Sequence, residues 1–388
     1  MSDEEGTEID FDALLESIIT PAQLDAERAA GELFKTWEIR NLSHAYQERE
    51  PLLFLVDSLL PCPSLSIVYG GPGSLKSMIL CDMAICVASG QRWLDAMSLP
   101  AANVKPGVTF AVKQAPVLWI DFDNGTRRTD ERVDAFARAR SLPVDTPFHY
   151  VSMPRPQLDA SNPTMIDELV KLVKYLEARL VIVDNLGLIS GDTEENNAQM
   201  AQVMGNLRWL CDSSESAVIV IHHQRKSAAS GNGDIRKGES LRGHSSIEAS
   251  LDLALLVERK PGEDSIAIVP TKVRGYQAFD VFGAYFTYEH RANTHDLETA
   301  RFYSQKMETK EERELTAIRE RIINEIKTNG DQMKQSELVQ AVRDAMAAQP
   351  NGRAPGINKV RGTLKNMVSD GILVQTGNQR NGFQYQLP

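Results

Sequence analysis

The sequence has no run of about 18 apolar residues, so no membrane-spanning helix is expected. Its acidic start, MSDEEGTEIDFD, leads into no apolar segment, which argues against a secretory leader. Cysteine is scarce: Cys62, Cys81, Cys86 and Cys211 show no metal-ligand spacing. The four are expected as reduced, mostly buried thiols of a cytoplasmic protein. No internal repeat is evident. Excess positive charge is also missing. With 42 Lys+Arg against 53 Asp+Glu the net charge is −11, so the surface as a whole does not attract nucleic acid.

The charge is unevenly spread. Residues 1–50 carry 4 basic and 13 acidic side chains, whereas residues 301–388 carry 14 and 10. A basic tail on an acidic body hints at nucleic-acid contact through that tail. At 388 residues the chain is too long for one core, and three segments are expected. Residues 1–50 read as an acidic arm. Phe11, Leu14, Leu15 and Ile18 sit at helical spacing, and Thr20-Pro21 opens a second helix to about Trp37. Residues 51–305 alternate short apolar runs (65–69, 117–120, 180–183, 217–221) with helix-length segments (76–90, 127–140, 163–178, 197–214). Continuous apolar strands separated by helices argue for an α/β fold with a mainly parallel sheet covered on both faces. Later segments (251–258, 265–271, 278–288) read as added strands, antiparallel at one edge.

Residues 306–388 change style. Thr309 and Glu312 form a capping box ahead of Leu315, Ile318, Ile322 and Ile326, and the helix ends at Asn329-Gly330. A second helix carries Leu338, Val342 and Ala345, and a third carries Ile357, Val360, Leu364 and Met367. Two strands then flank Asn381-Gly382. Three helices followed by a hairpin is the winged-helix order.

The strongest motif is Gly70-Gly71-Pro72-Gly73-Ser74-Leu75-Lys76-Ser77, between an apolar strand and a helix. Small residues let successive backbone N–H groups curl around phosphates, and the helix N-terminus adds positive potential. Lys76 would reach the β- and γ-phosphates of ATP, and Ser77 would ligate Mg²⁺. Leu75 stands where the pattern has its last glycine. If that position needs positive φ, leucine there is strained. The second motif is Asp184-Asn185, closing a buried strand, where an aspartate points into the ligand crevice and can hold magnesium. The third ends another strand with Asp121-Phe122-Asp123. Asp123, with Asp121 next, is the candidate to orient and deprotonate an attacking water.

His222-His223-Gln224-Arg225-Lys226 closes a fourth strand, and His223 or Gln224 would sense the γ-phosphate. A metal site from the two histidines is disfavoured, because adjacent strand residues face opposite ways. The Gly/Ser-rich stretch 227–240 with Arg236 and Lys237, flanked by Arg225, Lys226 and Arg242, reads either as a DNA-gripping loop or as an incidental surface loop. Lys272 and Arg274 alternate on a strand, so both project to one face and could reach a neighbouring subunit's γ-phosphate.

In this order the motifs resemble the RepA-type RecA-fold ATPases, the plasmid and phage replicative ring helicases. The resemblance spans roughly residues 45–290 and is carried by VIVDNLGLISGD (181–192), VIHHQRK (220–226) and ESLRGHSSIEASLDLALLVER (239–259). It implies a RecA-like P-loop NTPase fold, a homo-hexameric ring, ATP between subunits and single-stranded DNA held by central loops. Carried over by position, Lys76 and Ser77 bind phosphate and magnesium, and Asp123 replaces the family's catalytic glutamate. Asp184 is the Walker B acid, His223 or Gln224 the sensor, and Lys272 with Arg274 serve the neighbour. Separately, Asn358, Arg361 and Lys365 share the polar face of the last helix, which could enter a duplex groove with Arg380 of the wing on phosphate. The expectation is an ATP-hydrolysing DNA motor without membrane attachment. Its competitors are a loader or remodeller of the same fold and a nucleotide-switched DNA-bound regulator.

Overall fold

The computed structural model describes residues 21–37, 39–96, 104–190, 199–223, 245–307, 310–329, 332–348, 353–378 and 382–388. The expected helix around Phe11 to Ile18 lies outside the described residues, as do Thr20, Thr309, Gly330, Arg380 and Asn381. The chain divides into two units, Met1–Leu52 and Leu53–Pro388. In the first, α1 (Pro21–Thr36) precedes a one-turn helix, α2 (Leu42–Ala45), whose Asn41 cap accepts the Ser43 N–H at 3.1 Å. Leu33, Phe34, Trp37, Leu42 and Tyr46 are exposed there.

The second unit opens with an antiparallel hairpin, β1 (Leu53–Val56) and β2 (Leu60–Cys62). The chain then alternates through β3 (Ser64–Gly70), α3 (Lys76–Ser89), β4 (Val117–Asp121), α4 (Thr126–Ala139), β5 (Phe148–Ser152) and α5 (Pro163–Tyr175). It continues through β6 (Leu180–Asp184), α6 (Leu186–Ile189), α7 (Gln199–Ser214), β7 (Ala217–His223), α8 (Ser245–Ser250) and β8 (Leu253–Arg259). Three long strands follow: β9 (Ser265–Val273), β10 (Phe282–His290) and β11 (Leu297–Gln305). Among the described residues nine strands form one sheet in the order β11-β10-β9-β8-β3-β7-β6-β4-β5. The six from β8 to β5 in that order are parallel, and β9, β10 and β11 add antiparallel.

Strand period two divides the core. Leu180 and Ile182 of β6, with Ala217, Ile219 and Ile221 of β7, face the layer of α3 and α4. Val181, Val183, Val218 and Val220 face the layer of α5 and α7. A strand buried on both faces needs apolar residues at every position, which is why these runs are readable in the sequence. β8 departs from the expected antiparallel edge by pairing parallel to β3. The stretch between β7 and β8 includes α8 and is long enough for the crossover that parallel pairing requires. β5 and β11 went unread. β5 is an edge strand with three exposed residues, and β11 turns only alternate side chains inward. All four cysteines are free and buried.

The tail has its own core. Ile318, Ile322 and Ile326 of α9 (Lys310–Thr328) pack on Leu338 and Val342 of α10 (Gln335–Ala347) and on Val360, Leu364 and Met367 of α11 (Ile357–Ser369). Ile357, expected in that core, is 43% exposed, because it opens α11 a turn beyond the packed residues. A three-stranded sheet, β12 (Gln332–Lys334), β14 (Gly382–Gln386) and β13 (Val374–Asn378) in spatial order, completes it. Among the described residues no helix is long and apolar enough to cross a membrane.

The strand carrying the phosphate loop lies very close to β8. A Cβ on Gly70, whose φ is +157°, would sit 2.4 Å from the Val257 carbonyl oxygen. Only glycine fits that approach. Gly70→Ala is expected to destabilise the fold by about 2 kcal/mol or more, read as a lower urea midpoint at unchanged slope.

Candidate active site

All the singled-out strand ends lie on one edge of the sheet. The parallel register places Gly70 opposite His223, Asp184 opposite Ile221, and Asp121 opposite Asp184. The edge is the carboxyl end of the parallel strands, where β3 departs and the chain crosses past β7 and β6 to β4. Such a switch point opens the crevice in which α/β proteins hold ligands. Parity then selects the side chains. Asp121, Asp184 and His223 continue the rows of Trp119, Ile182 and Ile221, so all three face the α3–α4 layer. His222 turns to the other face and is buried, which agrees with the reading against a histidine metal pair.

The loop Gly70 to Ser77 wraps the N-terminus of α3. No side chain caps that helix, so its first N–H groups face outward as an anion cradle. Leu75 is the N-cap residue, at φ +67° and ψ +23°. The expected strain is therefore present, about 1–2 kcal/mol for a non-glycine residue in this region. Leu75 also packs against the core, and such burial offsets a cost of that size. Lys76 is buried, and its ammonium donates to the Gly70 oxygen at 3.1 Å and the Gly71 oxygen at 2.9 Å. Burial lowers its pKa, and Asp184 and Asp123 oppose the shift. A cavity of about 490 Å³ lies between Gly71–Ser74 and Leu256–Pro261.

Asp184 is 1% exposed, and the Ser77 hydroxyl is directed at its otherwise unpaired carboxylate. Burial pushes its pKa up to about 6. The Ser77 hydroxyl and Arg132 pull it down, while Asp121 and Asp123 push it up. A buried carboxylate with only a loop serine directed at it suits magnesium, so the residues present fit the ion that accompanies a nucleotide. Among the described residues no group of three or more His, Cys, Asp or Glu could hold a metal alone, so phosphate and water oxygens would complete the shell.

Asp121 is not free to activate water. Its Oδ1 accepts the N–H groups of Asp123 at 2.9 Å and Asn124 at 2.8 Å, and its Oδ2 accepts the Thr129 hydroxyl at 3.0 Å. It builds the turn that presents Asp123. Asp123 is exposed at the rim, and its Oδ1 accepts from Asn185 Nδ2 at 3.5 Å. His223 stands nearby, its pKa lowered by burial and by Lys76 and raised by Asp123. The net shift favours its neutral imidazole.

Lys272 and Arg274 are not in this cluster. Lys272 donates to the Glu248 carbonyl and Arg274 to that of Ala249 at 2.5 Å, so both grip the end of α8. Arg274 falls just past β9. By register Lys272 lies opposite Ala254, three residues or about 10 Å along the sheet from the level of Gly70, and Arg274 is two residues further away. Gln224, Arg225, Lys226, Arg236, Lys237 and Arg242 lie outside the described residues. Arg361 and Lys365 are exposed on α11.

Sequence reading missed two residues. Arg132 of α4 lies 3.8 Å from Asp121 Oδ2 and 4.0 Å from Asp184 Oδ2. Its signal was position: it follows Thr129 by three and precedes Phe136 by four, on the helix face that packs against the sheet. An arginine there needs a carboxylate. Arg259 donates to the Gly73 oxygen at 3.3 Å, bracing the loop from β8. Nothing local in the sequence marks that contact.

A glycine-rich loop at the switch point of this sheet order defines a RecA-like P-loop ATPase. The chain belongs to the AAA domain family, whose model matches residues 31–229. Among solved structures it is similar to the ATPase domain of a helicase, at 12% identity and a TM-score of 0.42, over 58% of this chain and 81% of that one. It is also similar to the RadB recombinase, at 16% identity and a TM-score of 0.40, over 59% and 89%. No curated protein matches the sequence.

An unfolded aspartate ionises near 3.8, so between that value and about 6 the folded chain holds a proton that the unfolded chain has released. Stability contributed by Asp184 therefore falls as pH rises through that window, by about 3 kcal/mol at most. Asp184→Asn is expected to stabilise the nucleotide-free protein at pH 8, with the gain gone by pH 4. Urea titrations at both pH values check this, and an equal difference at each would refute it.

Proposed function

We propose that the chain is an ATP-hydrolysing, ring-forming DNA motor, a RepA-type replicative helicase of a plasmid, phage or other mobile element. The supporting observation is a division of labour along the sheet. Asp184 and His223 share one edge and one face with the phosphate loop, and Asp123 stands at that rim, whereas Lys272 and Arg274 are turned to the carbonyls of α8. Two cations held away from their own phosphate loop suit a neighbour's, which favours a closed homo-oligomer, a hexamer in this reading.

Lys76 leaves the loop carbonyls for the β- and γ-phosphates, and the N–H groups of α3 take the remaining phosphate charge. Ser77 and Asp184 hold magnesium. The ion, when bound, offsets charge developing on the phosphate oxygens. Asp123 takes a proton from the attacking water, and the neutral His223, or Gln224, reads whether the γ-phosphate is present. Arg225, Lys226, Arg236, Lys237 and Arg242 grip single-stranded DNA. Residues 306–388 form a winged-helix domain whose Arg361 and Lys365 meet duplex phosphates. Residues 1–50 form the arm and 51–305 the motor domain.

Hydrolysis is expected to rise severalfold with single-stranded DNA and to vanish in Lys76→Ala, measured as phosphate release. A flat response with ATP still bound would sink the motor and favour a nucleotide-switched DNA-bound regulator. Arg274→Ala is expected to lower turnover by about 100-fold or more. Mixing it with Lys76→Ala should restore hydrolysis, because one supplies the loop and the other the finger. No recovery on mixing would refute the shared site.

A further inference from the structure

β4 and β6 are paired so that Asp121 stands directly opposite Asp184. Strand parity sends both carboxylates to the α3–α4 face. Like charges directly opposite in a sheet repel. Arg132 reaches toward them from α4, one turn past Thr129, with its side chain 14% exposed. Its Nη1 is 3.8 Å from Asp121 Oδ2 and 4.0 Å from Asp184 Oδ2.

The two carboxylates are not equivalent. Asp121 is saturated by the turn N–H groups, Asn124 and Thr129. Apart from the Ser77 hydroxyl directed at it, the Asp184 carboxylate lacks a hydrogen-bond partner, and so does Nη1 of Arg132. The Arg132–Asp184 contact is thus a charge contact with no hydrogen bond in it. It balances Asp184 without filling either acceptor. A guanidinium held this way can yield to a second cation without a donor being stripped from an acceptor.

We propose that Arg132 is a positioning residue that serves as the resident counter-charge of Asp184 and cedes that carboxylate to magnesium. This rests on the reading of Ser77 and Asp184 as the magnesium pair. Arg132 and the ion then compete for one carboxylate, so their effects on the site oppose each other, and by linkage each weakens the other. An ordinary structural ion pair has no such signature, because its loss destabilises the protein equally with and without the metal.

Four proteins decide it: wild type, Arg132→Gln, Asp184→Asn and the double variant. Thermal stability is measured in EDTA and with magnesium and ADP, and affinity for a fluorescent ADP analogue is followed against magnesium concentration. Arg132→Gln is expected to melt below wild type in EDTA, with the gap closing in magnesium and ADP. The magnesium midpoint for analogue binding should fall by at least about fivefold. In the Asp184→Asn background Arg132→Gln should leave the magnesium midpoint unchanged, and its stability cost, now owed to Asp121 alone, should be equal in EDTA and in magnesium and ADP. With Asp184 in place, an equal stability gap in both conditions, or a midpoint unchanged or raised, overturns the proposal. If wild type itself shows no magnesium-dependent binding, the nucleotide reading falls and takes this inference with it. Should Arg132→Gln fail to fold, Arg132→Lys keeps the charge and is expected to keep the wild-type midpoint. A fivefold shift in that variant would overturn the inference.

Discussion

Asp184 ends a strand whose five residues are all buried, and it carries its carboxylate into that dry setting with only the Ser77 hydroxyl directed at it. An ionised group so placed is costly unless counter-charge surrounds it. The neighbourhood supplies that charge from three directions. Lys76 lies on the phosphate loop, Arg132 comes from α4, and the helix N-terminus of α3 points its dipole inward. The resulting field would suit one anion and one metal cation together.

The arrangement holds only if α3 and α4 keep their places over the same sheet face. A buried ion pair joins them. Arg140, just past α4, donates to Asp82 of α3 at 3.0 Å and 3.2 Å, and both side chains are fully buried. Burial pushes the Asp82 carboxyl up, and Arg140 pulls it down again. Such a pair adds little net stability, but breaking half of it is expensive, so it ties geometry more than it adds energy. Ser77 on one helix and Arg132 on the other thereby meet the same carboxylate. Leu75 serves the same positioning. Its left-handed backbone starts α3 where the phosphates must lie, and its side chain recovers part of the strain in the core.

Much of this was legible in the residues. Continuous apolar runs announce strands buried on both faces, and an acid or histidine closing such a run announces a crevice. Gly70 to Ser77, Asp123, Asp184 and His223 are the candidates such signals single out, and the structure brings them to one edge. Asp121, the second choice after Asp123, is taken up by the turn, because sequence cannot tell a carboxylate that caps a turn from one that faces a ligand. β5 and β11 were missed because edge and half-buried strands lack the continuous apolar signature.

The sequence by itself determined which strands are buried, where they stop and which chemical groups stand at their ends, since these follow from local periodicity. Tertiary structure alone decided which ends are neighbours. The crossover from β3 past β7 and β6 to β4 sets Asp121 opposite Asp184 and Arg132 between them, the pairing of β8 with β3 brings Arg259 to the loop, and β9 holds Lys272 and Arg274 against α8. Those contacts join residues distant in the chain. Their distances depend on strand order and helix packing, which no local pattern of residues encodes.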